Sequence, residues 1–484
     1  MSSRRDIGGP IGTAFLGAIA AFVFGALLLR VSSRGSPFVR SSDSGADVTD
    51  TTTAAVTTPL QAPVTPPSSS PISSPISLPI SLPSASVAVA TAPPAKRTYN
   101  VLLITVDTLR FDLGYMGYPK AITPNIDALA ARSTVFERTY STASFTPKSL
   151  GPLHIGRYAS ETNRDNEHYT TFYPSNVFLA ERAHDAGART FAGMCHRYFT
   201  FKSGFAQGFD IFDLSAVPPG MTDTDRRSTS QRLSDVAIDL LSKPANVSAA
   251  HPFFAWFHYF DPHLPYVPHE GSPDFGRADR TPSGQARAQY DEEVWFTDLH
   301  VGRVLDHVKA QPWGASTVII LTADHGEAFG EHKHWGHGRE LWEPLVRVPL
   351  IVFVPGVAPH RVSLRRSHID LVPTVVELLG AATPAPGSVR GTSLVVDVLA
   401  RPEQPLAEHD VFIDMPEGPF NEMRRAHISG PSPGTKLIDV AGRRFELYDL
   451  ARDPEEGQNL ASDRDRLQPL VERMQKLRAG LDAH

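Results

Sequence analysis

Cysteine is all but missing. Cys195 is the only one in the chain, which excludes an intrachain disulfide framework and a cysteine-rich zinc site. A basic excess is missing as well, since the net charge is -6 at pH 7, and this argues against a general nucleic-acid binder. Charged residues make up only 20% of the chain against 41% hydrophobic, which permits a large buried core. At 484 residues the chain is too long for one small domain and implies two or three structural units. Two residue types are plentiful. There are 42 prolines, some of them at close intervals in one stretch, and 19 histidines, several of them clustered late in the chain.

The chain divides by composition. No charge falls between Ile7 and Leu29, a run that includes AFLGAIAAFVFGALLL. At ~1.5 Å per residue it reaches roughly 35 Å, enough to cross a hydrocarbon core of about 30 Å with some tilt. Residues 1–34 are therefore expected to form a single transmembrane anchor. Residues 35–97 are rich in Ser, Thr, Pro, Ala and Val, with Pro71, Pro75, Pro79 and Pro83 at every fourth position. Proline at that density blocks helices and sheet ladders, so a disordered linker is expected.

From residue 98 the pattern changes. NVLLITVD, PFFAWFHYFD, STVIILTAD and VPLIVFVPG are near-continuous apolar runs, as in parallel strands buried on both faces. Tyr290, Val294, Val301, Leu305 and Val308 follow helical spacing, with Asp291, Glu292 and Arg303 assigned to the other faces. Another helix is expected over Asp370–Leu379, stopped by Gly380. The reading is an α/β domain over 98–390 and a smaller C-terminal subdomain over 391–484. In the latter VFIDM, AHIS, TKLIDV and RFELYDL form an antiparallel sheet before a polar terminal helix.

Three of the apolar runs lead into acids: Asp107, Asp261 followed by His263, and Asp324 followed by His325. Open α/β sheets bind ligands beyond the carboxyl ends of their strands. One such aspartate alone reads as a helix cap or turn former. Three with adjacent histidines point to a shared divalent-metal site, for which the ligand chemistry leaves Ca2+, Mn2+, Mg2+ and Zn2+ open.

These same residues carry a resemblance. VLLITVDTLRFDLGYMGY, TPNIDALAARSTVFERTYS, DPHLPYVP, TADHGEAFGEHKHWGHGRELWEPLVRVPLIVFVPG, HIDLVPTVVELLG and FELYDLARDPEEGQNLA occur in an order that resembles the sulfatases of the alkaline-phosphatase superfamily. The resemblance runs from Tyr99 to the C-terminal helix. It implies a mixed sheet flanked by helices and one metal ion, with Ca2+ the first choice. Asp107, Asp324 and His325 then fall at metal-ligand positions, His263 at the ester or its leaving group, and His337 near the sulfate or phosphate. Glu327 has either a site role or a structural hydrogen-bonding one, and His332 and His334 belong to the loop.

The sequence departs from that family at its nucleophile. Sulfatases carry a cysteine or serine that is oxidised to formylglycine, whereas SFTPKSLGPLHIGRY places Thr146 there, with Lys148 as the nearest basic residue. Thr108 replaces a second metal-site aspartate. Threonine at the nucleophile position resembles phosphoethanolamine and lipoteichoic-acid-type transferases. An alcohol needs activation by a base or metal, and Lys148 and His337 are candidates to offset charge on the transferring group. Capping of the following helix by Thr146, with Lys148 solvated, is the bland alternative.

The expected function is thus hydrolysis of sulfate or phosphate esters by metal-assisted displacement. A phosphoryl-group transferase and a catalytically silent glycan-binding relative remain as alternatives. The expected partners are a sulfated or phosphorylated small molecule, glycan or lipid, and a membrane through the N-terminal helix, with the catalytic domain extracytoplasmic.

Overall fold

The computed structural model describes residues 98–165, 169–222, 226–399 and 407–482. The anchor expected over 1–34 and the linker expected over 35–97 lie outside the described residues. Among the described residues no helix is long and apolar enough to cross a membrane.

Among the described residues fourteen strands follow one another: β1 (Asn100–Val106), β2 (Thr134–Tyr140), β3 (Arg189–Met194), β4 (Ile211–Asp213), β5 (Phe253–Tyr259), β6 (Thr317–Ala323), β7 (Ala328–Phe329), β8 (Trp335–Gly336), β9 (Arg347–Phe353), β10 (His360–Ser367), β11 (Val411–Met415), β12 (Arg424–Ser429), β13 (Thr435–Val440) and β14 (Arg444–Asp449). Eight of them form one sheet in the order β10-β2-β9-β6-β1-β5-β3-β4. β1 pairs in parallel with β5 and β6, while β9 runs antiparallel to β2 and β6. This corrects the reading of VPLIVFVPG as a parallel strand. Burial on both faces makes the run apolar, and apolarity does not encode direction.

Successive residues of β1 feed opposite faces. Val101 and Leu103 join the core that includes the helix Leu371–Leu378, whereas Leu102, Ile104 and Val106 join the core that includes Leu233, Tyr290 and Val294. Tyr290, Val294, Val301, Leu305 and Val308 are buried on the helix Pro282–Ala310, as their spacing requires. Asp291 and Glu292 are buried too, against expectation. Each has a cationic partner: Lys120 and Arg287 for Asp291, Arg277 for Glu292.

The helix expected over Asp370–Leu379 is a 3-10 turn (His368–Asp370) running into Leu371–Leu378, and Gly380 follows at φ 78°. The C-terminal runs form a four-stranded antiparallel meander, β11-β12-β13-β14, followed by the helix Arg464–Asp482. This smaller sheet shares a core with the main domain, where Ile413, Ile438 and Tyr448 pack with Tyr140, Leu345 and Val346.

Candidate active site

Parallel pairing of β5, β1 and β6 sets Tyr259, Val106 and Ala323 side by side, so the residues that follow emerge at one edge. Asp107 and Asp324 meet there. One carboxylate oxygen or ring nitrogen from each of Asp107, Asp324 and His325 lies within 4.8 Å of the others, and all three residues are buried. His325 Nε2 stands 3.5 Å from Asp324 Oδ2 and 3.8 Å from Asp107 Oδ1. Asp324 Oδ1 accepts the backbone N–H of Thr108 at 3.1 Å and of His325 at 2.7 Å, while its Oδ2 makes no hydrogen bond. Thr108 reaches that carboxylate at φ 55°, a conformation costly for a β-branched residue and found where a site over-determines the backbone.

The electrostatics of this group call for a cation. Burial raises the pKa of both acids, and with Asp107 beside it Asp324 is pushed up to about 8. Burial holds His325 well below its ordinary value. Two desolvated carboxylates with an orphaned oxygen and a neutral imidazole form an O,O,N donor set that fits a divalent ion.

Asp261 is not part of this group, which corrects the three-aspartate reading. Its carboxylate accepts the backbone N–H groups of Thr229 and Ser230 at the start of the helix Ser230–Ser242, a purely local use.

Thr146 is the first residue of the helix Thr146–Ile155, yet it does not cap it. Phe145 occupies the capping position, without a side-chain cap. The Thr146 hydroxyl instead lies 3.2 Å from His325 Nε2 and 3.4 and 3.5 Å from the two oxygens of Asp107. Gly156 ends this helix at φ 78°, where a Cβ would come within 2.8 Å of Val389.

Lys148 is not solvated. It is 1% exposed, and its ammonium donates to the carbonyl of Pro416 at 2.7 Å and to Asn421 Oδ1 at 2.8 Å. Burial, with help from Arg164, lowers it to about 8.

A cavity of about 560 Å³ opens on Asp107 and Thr146 and is lined by His263, His337, Arg197 and Phe420 among others. A smaller recess of about 170 Å³, lined by Lys148, shares Phe145, His337 and Phe420 with it. His337 Nδ1 is 3.0 Å from Glu327 Oε1. Burial disfavours its charge, but Glu327, Asp107 and Asp324 outweigh this and raise His337 to about 9. Glu327 therefore has a supporting role toward His337, and its Oε2 also accepts Tyr266 OH at 3.3 Å. His263 stacks on Phe260 and donates from Nδ1 to the Leu264 carbonyl at 2.6 Å, which makes Nε2 its acceptor. Burial lowers its pKa against the pull of Asp107. His332 and His334 lie in the loop after β7 and pack on Trp342.

Three contributors were not foreseen from the sequence. His258 on β5 sits with Nε2 3.6 Å from Asp107 Oδ2. Its signal was present, as the one polar residue in the run FFAWFHY. Asn421 and Phe420 come from the loop after β11 and carried no signal of their own. Cys195 is buried, its thiol is pushed up to about 12 by burial, and it packs in the apolar core, so it offers no nucleophile here.

The sequence and the fold have known relatives. The family described as Sulfatase matches residues 99–381, and the family described as N-sulphoglucosamine sulphohydrolase, C-terminal, matches residues 330–482. A delta 4,5-hexuronate-2-O-sulfatase of Bacteroides thetaiotaomicron is 23% identical over 433 residues, covering 77% of this chain and 86% of the relative. Human (Homo sapiens) iduronate 2-sulfatase is 25% identical over 446 residues, covering 70% and 79%. In fold, a 2-O GAG sulfatase aligns with TM-score 0.66 at 20% identity, covering 80% of this chain and 92% of that one. The phosphonate monoester hydrolase of Agrobacterium radiobacter aligns with TM-score 0.64 at 21% identity, covering 79% and 96%. Sheet, strand-end acids and matched families together define a hydrolase of the alkaline-phosphatase superfamily. Within it, the chain belongs to the sulfatase family.

Proposed function

We propose that this chain hydrolyses sulfate esters of a sugar or other small molecule, with Thr146 as the nucleophile and one divalent ion held by Asp107, Asp324 and His325. The observation that carries the reading is the Thr146 hydroxyl, turned away from any capping role onto Asp107 and His325 at the floor of the cavity. A bound divalent ion, Ca2+ by family resemblance, would supply positive charge that lowers the pKa of a nearby hydroxyl and offsets charge on the transferring group.

The chain's own groups do the rest. Asp107 and the helix start fix the Thr146 oxygen, which attacks sulfur and forms a threonyl sulfate as the ester oxygen departs. The hydroxyl proton passes to Asp107, whose oxygens lie 3.4 and 3.5 Å away, and the departing oxygen takes up a proton on the side of His263, which lines the same cavity. His337, whose charge Glu327 favours, lines the same cavity and would offset charge on the anionic oxygens. Water then attacks the sulfur of the threonyl ester, the bond from sulfur to the threonine oxygen breaks, sulfate leaves with the water oxygen, and a proton from the water restores the hydroxyl. Relatives named for 2-O-sulfated uronic sugars favour a sulfated sugar as substrate. The expected membrane anchor and the extracytoplasmic placement of the domain belong to the same proposal.

Turnover of 4-nitrophenyl sulfate and 4-nitrophenyl phosphate by the Thr146 variants tests this. Thr146→Ala removes nearly all turnover with fold and metal binding retained, whereas Thr146→Ser keeps a substantial part because the attacking oxygen remains. Wild-type turnover by Thr146→Ala would exclude the threonyl intermediate. A preference for the phosphate ester would move the substrate class to phosphorus.

A further inference from the structure

Thr105, Trp256 and His258 are completely buried beside the candidate metal site, and none of them is needed for the chemistry just described. Thr105 on β1 is the register partner of His258 on β5, and Trp256 lies two residues earlier on the same face of that strand. The Trp256 indole N–H, which can only donate, reaches Thr105 Oγ1 at 2.9 Å. Thr105 Oγ1 lies 2.8 Å from His258 Nδ1, and the far nitrogen, Nε2, is 3.6 Å from Asp107 Oδ2. Packing of His258 against Phe199, with ring centroids 5.0 Å apart, holds the imidazole in place.

This geometry points to a fixed direction for the protons. We infer that His258 is a positioning residue for Asp107, held by Trp256 and Thr105 in the tautomer whose proton sits on Nε2 and faces the Asp107 carboxylate.

The opposite tautomer fails on two counts. With a proton on Nδ1, Thr105 Oγ1 would accept from both neighbours, and its own proton would be left without an acceptor in a buried place. The Nε2 lone pair would then confront the Asp107 oxygen at 3.6 Å, a repulsive contact in a desolvated setting. With the proton on Nε2, hydrogen bonds run from Trp256 to Thr105 to His258, and Nε2, which makes no hydrogen bond of its own, directs its proton toward Asp107 Oδ2 at 3.6 Å. The imidazolium fails by the same geometry, since it too would put a proton on Nδ1 against Thr105 Oγ1. A ligand carboxylate oriented in this way commonly loses about 10–100-fold in metal affinity when its outer partner is removed. The tautomer stands on geometry alone, while its consequence for a cation rests on the metal reading above.

The test separates the two. Ring 15N shifts of the whole protein, with the His258 signals assigned by their loss in His258→Gln, report the tautomer without any metal. The expected result is protonated Nε2 in wild type and in Thr105→Ser, and loss of that preference in Thr105→Val. Calorimetry with Ca2+ and Mn2+ is expected to show affinity lowered about tenfold in Thr105→Val and restored in Thr105→Ser, with thermal midpoints confirming that all variants are folded. A proton on Nδ1 in wild type overturns the inference, as does equal metal affinity in wild type and Thr105→Val. Absence of metal binding in wild type, with Nε2 protonated, would instead sink the metal reading and leave the orientation of Asp107 standing.

Discussion

Two groups of buried carboxylates occupy this fold under opposite electrostatic terms. Glu343 and Glu456 enclose Lys436, whose ammonium lies 3.1 Å from one and 2.9 Å from the other with no exposure to solvent. Tyr140 donates to Glu343 at 3.2 Å, and the backbone N–H of Glu343 donates to Glu456 at 2.6 Å, so the cluster stitches β13 of the small sheet to the main domain. Asp107 and Asp324 are as deeply buried, but among the described residues neither pairs with a lysine or arginine, and their charged-type neighbours are histidines. The first cluster carries its cation in the sequence. Under the function proposed above, the second would receive one from solution, since a covalent lysine would fill space that the adjoining cavity leaves for an ester's oxygens.

The largest effect should come from removing the resident cation. Lys436→Met leaves two buried glutamates facing each other, and a loss of about 3–5 kcal/mol is expected from the thermal or denaturant midpoint. Turnover per folded molecule should not change, because the cluster does not touch the cavity.

The matching change at the other cluster should behave oppositely. Asp324→Asn relieves the repulsion between two acids, so the metal-free protein is expected to be no less stable than wild type. Cation affinity measured by calorimetry is expected to fall by more than about 100-fold, beyond the usual cost of losing an outer-shell partner. A destabilised metal-free variant would show that this carboxylate is structural, as Glu343 is.

The pH dependence sharpens the same contrast. Asp324 is pushed up to about 8 in the fold by burial and by Asp107, from an ordinary carboxylate value near 3.8. The folded state therefore binds more protons than the unfolded one between those values, and stability falls as pH rises across that window. Metal-free protein should lose thermal midpoint from about pH 4 to about pH 8. Saturating Ca2+ or Mn2+ should flatten that slope, because the ion takes the place of the protons. A slope unaltered by metal would place its origin elsewhere.

Much of this was legible beforehand, and the reasons differ by residue. Asp107, Asp324 and His325 could be read because strand ends of a parallel sheet converge by rule, so sequence position alone assigns them to one edge. Thr146 was ambiguous, since a threonine opening a helix is a normal cap, and only the side-chain direction decided against that use. Asp261 misled for the same reason in reverse. His258 was overlooked because an apolar run with one polar residue reads as a strand with a tolerated exception. Lys148 was read as a candidate to offset charge, with solvation as the alternative; its partners, Pro416 and Asn421, stand more than 260 residues away in the chain, a distance no local pattern spans. The antiparallel sense of β9 left no trace, as burial selects apolarity for either direction.

Lys148 supplies the intermediate case, a buried cation with neutral partners only, and the smallest effect. Its ammonium joins the start of the Thr146 helix to the loop that carries Phe420 over both cavities. In Lys148→Met the apolar stem is kept while the hydrogen bonds to Pro416 and Asn421 are lost, and the cost of burying an ammonium is removed with them. Asn421 still donates to the Pro416 carbonyl at 3.0 Å, so the loop is loosened rather than released. The net expectation is a loss of about 1 kcal/mol, well below that of Lys436→Met. If Lys148 acts through the loop, KM for aryl esters should rise while kcat changes little. If it offsets charge on the transferring group, as its place two residues after Thr146 first implied, kcat should instead fall by on the order of 100-fold. Equal midpoint losses in Lys148→Met and Lys436→Met would break the comparison, because two buried ammonium groups with such different partners would then be contributing alike.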